Sequence, residues 1–290
     1  MIRLVSAPLQ VELAPAVGGS IARFDHVADG RVTPVLRGEG APAGPLDAGS
    51  FPLVPYCNRI RGGRFLFRGR EVRLSRNMPS DASPLHGHGW LAPWDVIARS
   101  EDTAELLFRH EPGEWPWRYE ARQHFRLRPD RLEIALACRN LSDEPMPCGL
   151  GQHPYFPCTA DTVLDTEVET AWTIDAQVLP VEQVPAAGRY DLRKRRICGQ
   201  DLDNGFGGWG GTARMSTPGV PFATILSSPD ARFFQLYSPP EGGLYVAEPV
   251  SHANAALNAP EADWPELGMR VLAPGEEMEL RATIAVISGG

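Results

Sequence analysis

Glycine and proline are spread along the whole chain, and this distribution limits what the chain can fold into more than any other feature. The 290 residues include 29 glycines and 28 prolines. Both residue types disfavour helix interiors, so long helices are hard to place between them. Short runs bounded by turn residues and rich in β-branched and aromatic side chains recur instead. The sequence therefore predicts an all-β protein.

Several segments alternate apolar and polar residues, as expected of strands with one buried face. The segment 119–143 contains two such runs joined by Arg-Pro-Asp-Arg at 128–131, which is a good hairpin turn. The segments 222–251 and 278–288 repeat the pattern. Many successive strands over this length favour a large two-sheet sandwich, and the length fits either one large domain or two.

Charge and motif content exclude several classes of function. The formal net charge of -8 disfavours nucleic acid as a partner, and we interpret the basic run at 193–196 as a solvated turn. No apolar run reaches spanning length and the first residues lack the continuous apolar stretch of a secretory signal, so we expect a cytoplasmic protein without a membrane partner. The sequence shows no strand–helix alternation, and the Gly-x-x-x-x-Gly-Lys motif and the Gly-x-Ser-x-Gly motif are absent.

Four segments combine polar side chains with glycine, proline and aromatic residues in a way that packing alone does not require. In the segment 51–65, Asn58 and Arg59 stand between an apolar strand and a glycine turn. A guanidinium offers a planar set of donors that suits hydroxyls or a carboxylate. For this segment taken alone, an arginine that caps a sheet edge is an equally good interpretation.

The second segment, "SPLHGHGW", places His86 and His88 among glycines, directly before Trp90. On an extended strand the two histidines would face the same side and could ligate one metal. The glycines indicate a loop where the backbone approaches a ligand closely, and no glutamate follows at the spacing of metal-binding barrels. We therefore favour a sugar contact over a metal site.

The third and fourth segments supply groups that can carry a proton. "GLGQHPYF" holds His153 in a fixed direction before Pro154, although a core histidine is the simpler interpretation of one such residue. Glu248 ends the apolar run "LYVA" before Pro249, and partial desolvation of a carboxylate raises its pKa and makes it a better base. A glutamate paired with an arginine at the sheet rim is the alternative.

Together the four segments have the composition of a sugar site. Pyranoses present hydroxyls around the rim and C–H faces above and below, so polar side chains fix their orientation while aromatic rings cover a face. Trp90 and Trp209 are the rings that the sequence suggests for this purpose.

In their order along the chain these segments resemble the aldose 1-epimerases, also called galactose mutarotases. The resemblance runs through "APAVGGSIARF", "PYCNRIRGGRF", "LHGHGW", "QHPYF", "DLDNGFGGW", "FFQLYS" and "AEPVSHANAALN". It implies the galactose mutarotase-like supersandwich, a single large antiparallel β-sandwich, as one domain over residues 1–290. It also implies a small-molecule sugar as the partner, no cofactor and no metal, and a monomer or homodimer.

The resemblance assigns roles to particular residues. His153 matches the general acid of the family, and Glu248 matches its general base. The residues that match the sugar-binding positions are Asn58, Arg59, His86, Asp203 and Gln235. Asp201 is near enough to Asp203 in sequence to leave that position open between them.

The surroundings of these residues depart from those of the better-studied galactose mutarotases. "HGHGW" stands where they have two glycines and a longer insertion, and "EPVSHA" differs from the usual surroundings of their base. The resemblance therefore places the chain in a divergent branch of the family. The identity of the sugar does not follow from it.

Exchange of the α and β anomers requires a base at O1 and an acid at O5, which open the ring to an aldehyde that can rotate before it closes again. Glutamate titrates at about 4.3 and histidine at about 6.5 when unperturbed, so the acid would be mostly unprotonated at neutral pH. We expect a nearby carboxylate, Asp203 or Glu248 itself, to favour the protonated imidazole. A bell-shaped dependence of the rate on pH should result.

Three other functions stay open at this point. A hexose-6-phosphate 1-epimerase would need a cationic pocket, for which Arg61 and Arg64 are available. A non-catalytic carbohydrate-binding protein could use the same fold. A metal-dependent isomerase could use His86, His88 and His153 as ligands.

Overall fold

The computed structural model describes residues 1–38 and 40–288. Within these residues the chain forms 25 strands and six 3-10 helices. Strands β1 to β25 are, in chain order, Ile2–Ser6, Leu9–Ala14, Ser20–Ala28, Arg31–Leu36, Pro52–Leu53, Arg64–Phe67, Arg70–Arg73, Asp95–Arg99, Thr103–His110, Tyr119–Arg128, Arg131–Asn140, Met146–Cys148, Gly151–Gln152, Tyr155–Pro157, Val163–Thr166, Thr170–Ile174, Pro180–Pro185, Arg195–Arg196, Leu202–Gly207, Thr212–Ser216, Phe222–Ser227, Phe233–Ser238, Leu244–Val250, Arg270–Leu272 and Glu277–Ser288. The 3-10 helices are Pro45–Asp47, Arg61–Gly63, Gly89–Leu91, Gly188–Tyr190, Ala256–Asn258 and Glu261–Asp263. In this part of the chain no helix has the length and apolarity needed to cross a membrane.

Two large sheets form the layers of a sandwich. The nine-stranded sheet has the order β18, β15, β20, β21, β25, β11, β10, β9, β8. The eight-stranded sheet has the order β17, β16, β19, β22, β23, β13, β5, and β14 also pairs with β23. A four-stranded sheet of β1 to β4 and the pairs β6 with β7 and β12 with β24 complete the structure. Neighbouring strands run antiparallel, as β10 and β25 do on either side of β11. The all-β antiparallel sandwich predicted from the sequence is confirmed.

The alternating segments of the sequence form the nine-stranded sheet. Arg128 and Arg131 pair at the end of the β10–β11 hairpin, where the sequence predicts a turn. In β11 the even-numbered residues are buried, and those from Leu132 to Cys138 join a hydrophobic cluster, while the intervening residues are less buried. The same cluster contains Phe234 and Leu236 of the eight-stranded sheet. It forms the core between the two layers, where each large apolar side chain contributes roughly 1.5–3 kcal/mol.

The eight-stranded sheet is buried on both faces near its centre. Phe234 and Leu236 of β22 point into the core, so Gln235 between them points to the opposite face. Gln235 lies directly opposite Glu248 of β23, and both side chains are buried. Loops cover this second face, so the sheet carries buried polar groups where an ordinary sandwich would meet solvent. That face positions the candidate site.

Candidate active site

A cavity of about 560 Å³ lies on the second face of the eight-stranded sheet. This volume is suited to one small organic ligand. A smaller cavity of about 170 Å³ beside Phe222 and Tyr245 has apolar, hydroxyl and thiol groups in its lining. The charged residues that the sequence identified line the larger one. The predicted site residues at its surface are Asn58, Arg59, His86, Trp90, His153, Asp203 and Glu248.

Strand register explains how Asp203 comes to this face. Asp203 of β19 lies opposite Tyr237 of β22, two residues along from Gln235, so all three side chains share one face of the sheet. The Nε2 of Gln235 donates to the Oδ1 of Asp203 at 2.8 Å. Gln235 therefore orients Asp203 and does not itself line the cavity. Asp201 is exposed, with a left-handed backbone at φ 53, and Asp203 is the aspartate of the pair that lines the cavity.

The structure brings His153 and Glu248 together. The Nε2 of His153 lies 3.5 Å from the Oε1 of Glu248, and their side chains are 10% and 3% exposed. Phe51 stacks on the imidazole with ring centroids 4.3 Å apart, which fixes the plane of the ring. Gly151, two residues earlier, allows β13 to pack closely against β23, because a Cβ there would lie 2.8 Å from Val250 Cγ1.

Burial moves both pKa values towards the neutral forms. Desolvation, with a smaller effect of the Arg37 charge, lowers the pKa of His153 to about 3. Desolvation raises the pKa of Glu248 well above its usual range, with Asp203 adding to the shift and Arg59 opposing it. Burial thus acts against the effect that a nearby carboxylate was expected to have on the protonation of His153.

His86 is a neutral hydrogen-bond donor towards the cavity. Its Nδ1 accepts the backbone N–H of Asn58 at 3.1 Å, so a neutral ring carries its proton on Nε2. Burial, with the neighbouring His153 and Arg59, lowers the pKa of His86 well below its usual value. The ring stands edge-on to His153, with centroids 5.3 Å apart and an interplanar angle of 82°.

His86 and His88 do not converge on one point. His86 and Gly87 both have left-handed backbones, with φ 58 and 71, so the segment is a loop and not an extended strand. His88 instead stacks on His110, at 4.5 Å, in a separate cavity. Across residues 1–38 and 40–288 no three histidine, cysteine or acidic side chains are grouped as metal ligands. The geometry thus gives no support to a site built from His86, His88 and His153.

Arg59 belongs to a network of charges. Its Nε and Nη2 both lie 2.9 Å from the Oδ2 of Asp81, and its Nη2 lies 3.7 Å from the Oδ2 of Asp203. Burial raises the pKa of Asp203, while Arg59 and the Gln235 hydrogen bond act in the opposite direction. Asp81 was not predicted from the sequence, because a single aspartate in a polar loop shows no pattern that would mark it.

The polar residues that follow Glu248 hold the Asn58–Arg59 segment in place. Three alternate backbone N–H groups donate to side chains of the segment 252–258. They are Cys57 N–H to His252 Nε2 at 2.9 Å, Arg59 N–H to Asn254 Oδ1 at 3.1 Å and Arg61 N–H to Asn258 Oδ1 at 2.7 Å. These side chains position the Asn58–Arg59 segment and do not themselves line the cavity.

Arg37 is a lining residue that the sequence analysis missed. Its guanidinium carbon lies 3.8 Å from the centroid of the Tyr155 ring. Its Nη2 donates to the carbonyl oxygens of Leu46 and Ala48. A lone arginine after a strand has no distinguishing spacing, so only the fold reveals its place.

The two tryptophans suggested for stacking have different locations. Trp90 lines the cavity, donates its Nε1 to the carbonyl of Leu85 at 3.1 Å, and stacks on Phe51 at 5.2 Å. Trp209 packs on Phe234 at 5.0 Å within the core between the sheets. The suggestion that Trp209 covers a sugar face is therefore wrong.

Comparison with known structures defines the class of fold. A crystal structure of a protein from Escherichia coli K12 that carries a provisional aldose 1-epimerase designation matches with a TM-score of 0.88 and 31% identity, covering 99% of this chain and 98% of that one. A galactose mutarotase-like protein from Clostridium acetobutylicum has the same fold, with a TM-score of 0.87, 16% identity, and coverage of 99% of this chain and 94% of that one. The protein is thus a galactose mutarotase-like β-sandwich with a cavity that ionisable side chains line.

Sequence comparison then gives the family. The model of the aldose 1-epimerase family matches residues 10–285. The uncharacterized protein YphB of Escherichia coli K12 is 35% identical over 264 residues, which cover 86% of this chain and 89% of YphB. The chain belongs to the aldose 1-epimerase family.

Proposed function

We propose that the protein is an aldose 1-epimerase that interconverts the α and β anomers of an aldose, with the whole chain 1–290 acting as one domain. His153 is the general acid and Glu248 the general base. The observation that carries this proposal is the 3.5 Å approach of His153 Nε2 to Glu248 Oε1 in a cavity of about 560 Å³. The base and acid must act at O1 and O5, which are both bonded to C1, so they must lie this close together.

The protonation of the pair suits the reaction once its proton moves. Burial favours the neutral form of both groups, and transfer of a proton from neutral Glu248 to neutral His153 creates carboxylate and imidazolium without exchange with solvent. Glu248 then removes the proton of O1, and His153 gives its proton to O5 as the C1–O5 bond breaks. Rotation about C1–C2 and the reverse transfers complete the exchange of anomers.

Unpaired polar atoms in the cavity support a polyhydroxylated ligand. The buried atoms Asn58 Nδ2, His153 Nδ1 and Glu248 Oε2 have no hydrogen-bond partner among the described residues. Buried polar atoms in proteins nearly all have partners, so three of them in residues that line one cavity favour a ligand rich in donors and acceptors. Sugar hydroxyls supply both.

The residues considered for a phosphate do not reach the cavity. Arg61 pairs with Asp175 at 3.4 Å and donates to the carbonyl of Pro180, and neither Arg61 nor Arg64 is part of the lining. This placement favours an aldose without a phosphate over a hexose 6-phosphate.

Replacement of the proton-transfer residues tests the proposal. Glu248→Gln and His153→Asn should each lower the rate of mutarotation by about 100-fold or more, measured by polarimetry on a freshly dissolved α-anomer. Glu279→Gln and His124→Asn make the same chemical changes at exposed positions on the other sheet and should keep the rate. A correctly folded Glu248→Gln or His153→Asn protein with a normal rate would remove that residue from the mechanism. Sugar binding without any acceleration by the unaltered protein would instead indicate a non-catalytic carbohydrate-binding protein.

A further inference from the structure

Two arginines line the cavity, and among the described residues they differ in whether a carboxylate pairs with the guanidinium. Arg59 contacts the carboxylates of Asp81 and Asp203. In residues 1–38 and 40–288, no carboxylate oxygen lies within 4.0 Å of the guanidinium of Arg37. Asp47, which lies between the two carbonyls that Arg37 contacts, directs its Oδ2 to the backbone N–H of Gly44 at 3.1 Å. Arg37 therefore brings a positive charge to the cavity that this part of the chain does not neutralise.

The structure holds this charge in a fixed place. The Nη2 of Arg37 donates to the carbonyls of Leu46 and Ala48, and the guanidinium lies over the ring of Tyr155. Among the described residues the Nη1 of Arg37 has no hydrogen-bond acceptor. A guanidinium fixed in this way loses little freedom when it binds an anion, and it keeps donors for it.

We propose that Arg37 binds a single negative charge at C6 of the sugar, so that the substrate is a hexuronate, an aldose whose C6 is a carboxylate. This inference rests on the proposed function, because it uses the position of the ring oxygen. His153 must contact O5, and the neighbour of O5 other than C1 is C5, which carries C6. Tyr155 lies between His153, which would contact O5, and Arg37, which would contact the group at C6. Its ring centroid lies 4.8 Å from that of His153 and 3.8 Å from the Arg37 guanidinium carbon.

The other charges of the cavity favour one negative charge over two. Arg59 is already balanced by Asp81 and Asp203, and Glu241 adds an exposed carboxylate at the cavity. A carboxylate matches the single guanidinium of Arg37 in charge and in planar geometry. A phosphate dianion would leave excess negative charge close to these carboxylates.

The proposed contact also assists the reaction. The charge of Arg37 contributes to the low pKa of His153, while the other groups around that imidazole are Phe51, Tyr155, the neutral His86 and Glu248. A carboxylate bound to Arg37 would offset its field and favour the imidazolium that protonates O5. The acidic group of the enzyme–substrate complex should then have a higher pKa with a uronate than with a neutral sugar.

A comparison of charged and neutral sugars of nearly the same shape tests the inference on the unaltered protein. Glucuronate and galacturonate are compared with their C6 amides, which have nearly the same size and no charge, by the exchange of anomer signals in NMR spectra. We expect kcat/KM to be about tenfold or more higher for a uronate than for its amide. An equal or higher value for both amides would overturn the inference, as would faster turnover of glucose 6-phosphate than of glucuronate. If the protein accelerates anomer exchange neither in these sugars nor in neutral aldoses, that result would count against the proposed function itself.

Variants of Arg37 test the contact directly. Arg37→Gln should lower the ratio of kcat/KM for uronate to that for amide by about ten- to hundredfold, and Arg37→Lys should restore part of it. Arg61→Gln changes an exposed arginine outside the cavity and should leave the ratio as it is. An unchanged ratio in folded Arg37→Gln protein would overturn the inference. Should that variant fail to fold, Arg37→Lys and the salt dependence of the wild-type protein test the contact instead. The wild-type preference for uronate over amide should weaken as salt is added, because salt screens a charge contact and does not change a preference for shape.

Discussion

The two walls of the cavity differ in whether their charged and polar groups have partners within the described part of the protein. In the paired wall, formed by Arg59, Asp81, Asp203 and Gln235, each charged side chain has a partner of the protein itself. In the unpaired wall, formed by Arg37, His153 and Glu248, each side chain has a buried polar atom without a protein partner. The paired wall keeps its shape without a ligand. The unpaired wall holds His153 and Glu248, whose pKa values burial shifts towards the neutral forms.

Removal of each arginine in turn should give the largest difference between the walls. Arg59 is 11% exposed and Asp81 10%, so Arg59→Gln leaves carboxylates without a counter-charge in a poorly solvated place. We expect the free energy of unfolding to fall by about 3 kcal/mol or more. Arg37→Gln loses two hydrogen bonds to carbonyls and should cost about 1–2 kcal/mol. Urea denaturation of both variants measures the difference.

A second substitution sharpens this test. If the loss in Arg59→Gln comes from an unpaired Asp203, the double variant Arg59→Gln/Asp203→Asn should recover part of the stability. Equal losses in the two single arginine variants, or no recovery in the double variant, would show that the walls do not differ in the way described.

Asn254→Ala should have a smaller effect, confined to the paired wall. It removes the acceptor of the Arg59 backbone N–H, at 3.1 Å, and an unsatisfied donor costs about 1–2 kcal/mol. The KM for sugar should rise, because the Arg59 side chain is held less firmly. Gln183→Ala removes an amide from an exposed position and serves as the control, measured by the same denaturation and rate assays. A variant as stable as the wild type would mean that the 252–258 segment does not hold Arg59.

Glu248→Gln should have the smallest effect on stability, and its sign should depend on pH. The pKa of Glu248 is raised in the folded state, so folding holds its proton more tightly than the unfolded chain does. This contribution is present in full below the unfolded pKa of about 4.3 and is lost as the pH rises through the folded pKa. Glutamine has no proton to lose, so the variant should become more stable relative to the wild type as the pH rises over the range from about pH 4 to about pH 8. Denaturation across this range is the measurement, and a difference that does not change with pH would contradict the raised pKa.

The sequence predicts the frame of the protein better than the detail of its cavity. Period-two alternation is a property of neighbouring residues, so strands such as β11, with its buried Leu136, can be recognised without the fold. His153 and Glu248 stand in segments with distinctive residue types and could be named in advance. Their 3.5 Å approach could not, because it depends on the pairing of β13 and β14 with β23.

The parts that the sequence did not predict all arise from long-range contacts. Asp81 gains its role from Arg59, and Arg37 gains its role from the ring of Tyr155. Gln235 was expected to touch the sugar, and only strand register shows that it contacts Asp203. The lowered pKa of His153 was not predicted, because residue types and spacing do not reveal how completely a side chain is removed from water.

The strand order of the nine-stranded sheet has a consequence for biosynthesis. β25 follows every other strand in the chain, yet it lies between β21 and β11 in the middle of that sheet. Until the ribosome has released it, the sheet is two separate pieces, each with an open edge that could pair with another chain. Cotranslational folding therefore cannot close the sandwich before β25 emerges, and the open edges of the two pieces can pair with other chains until then.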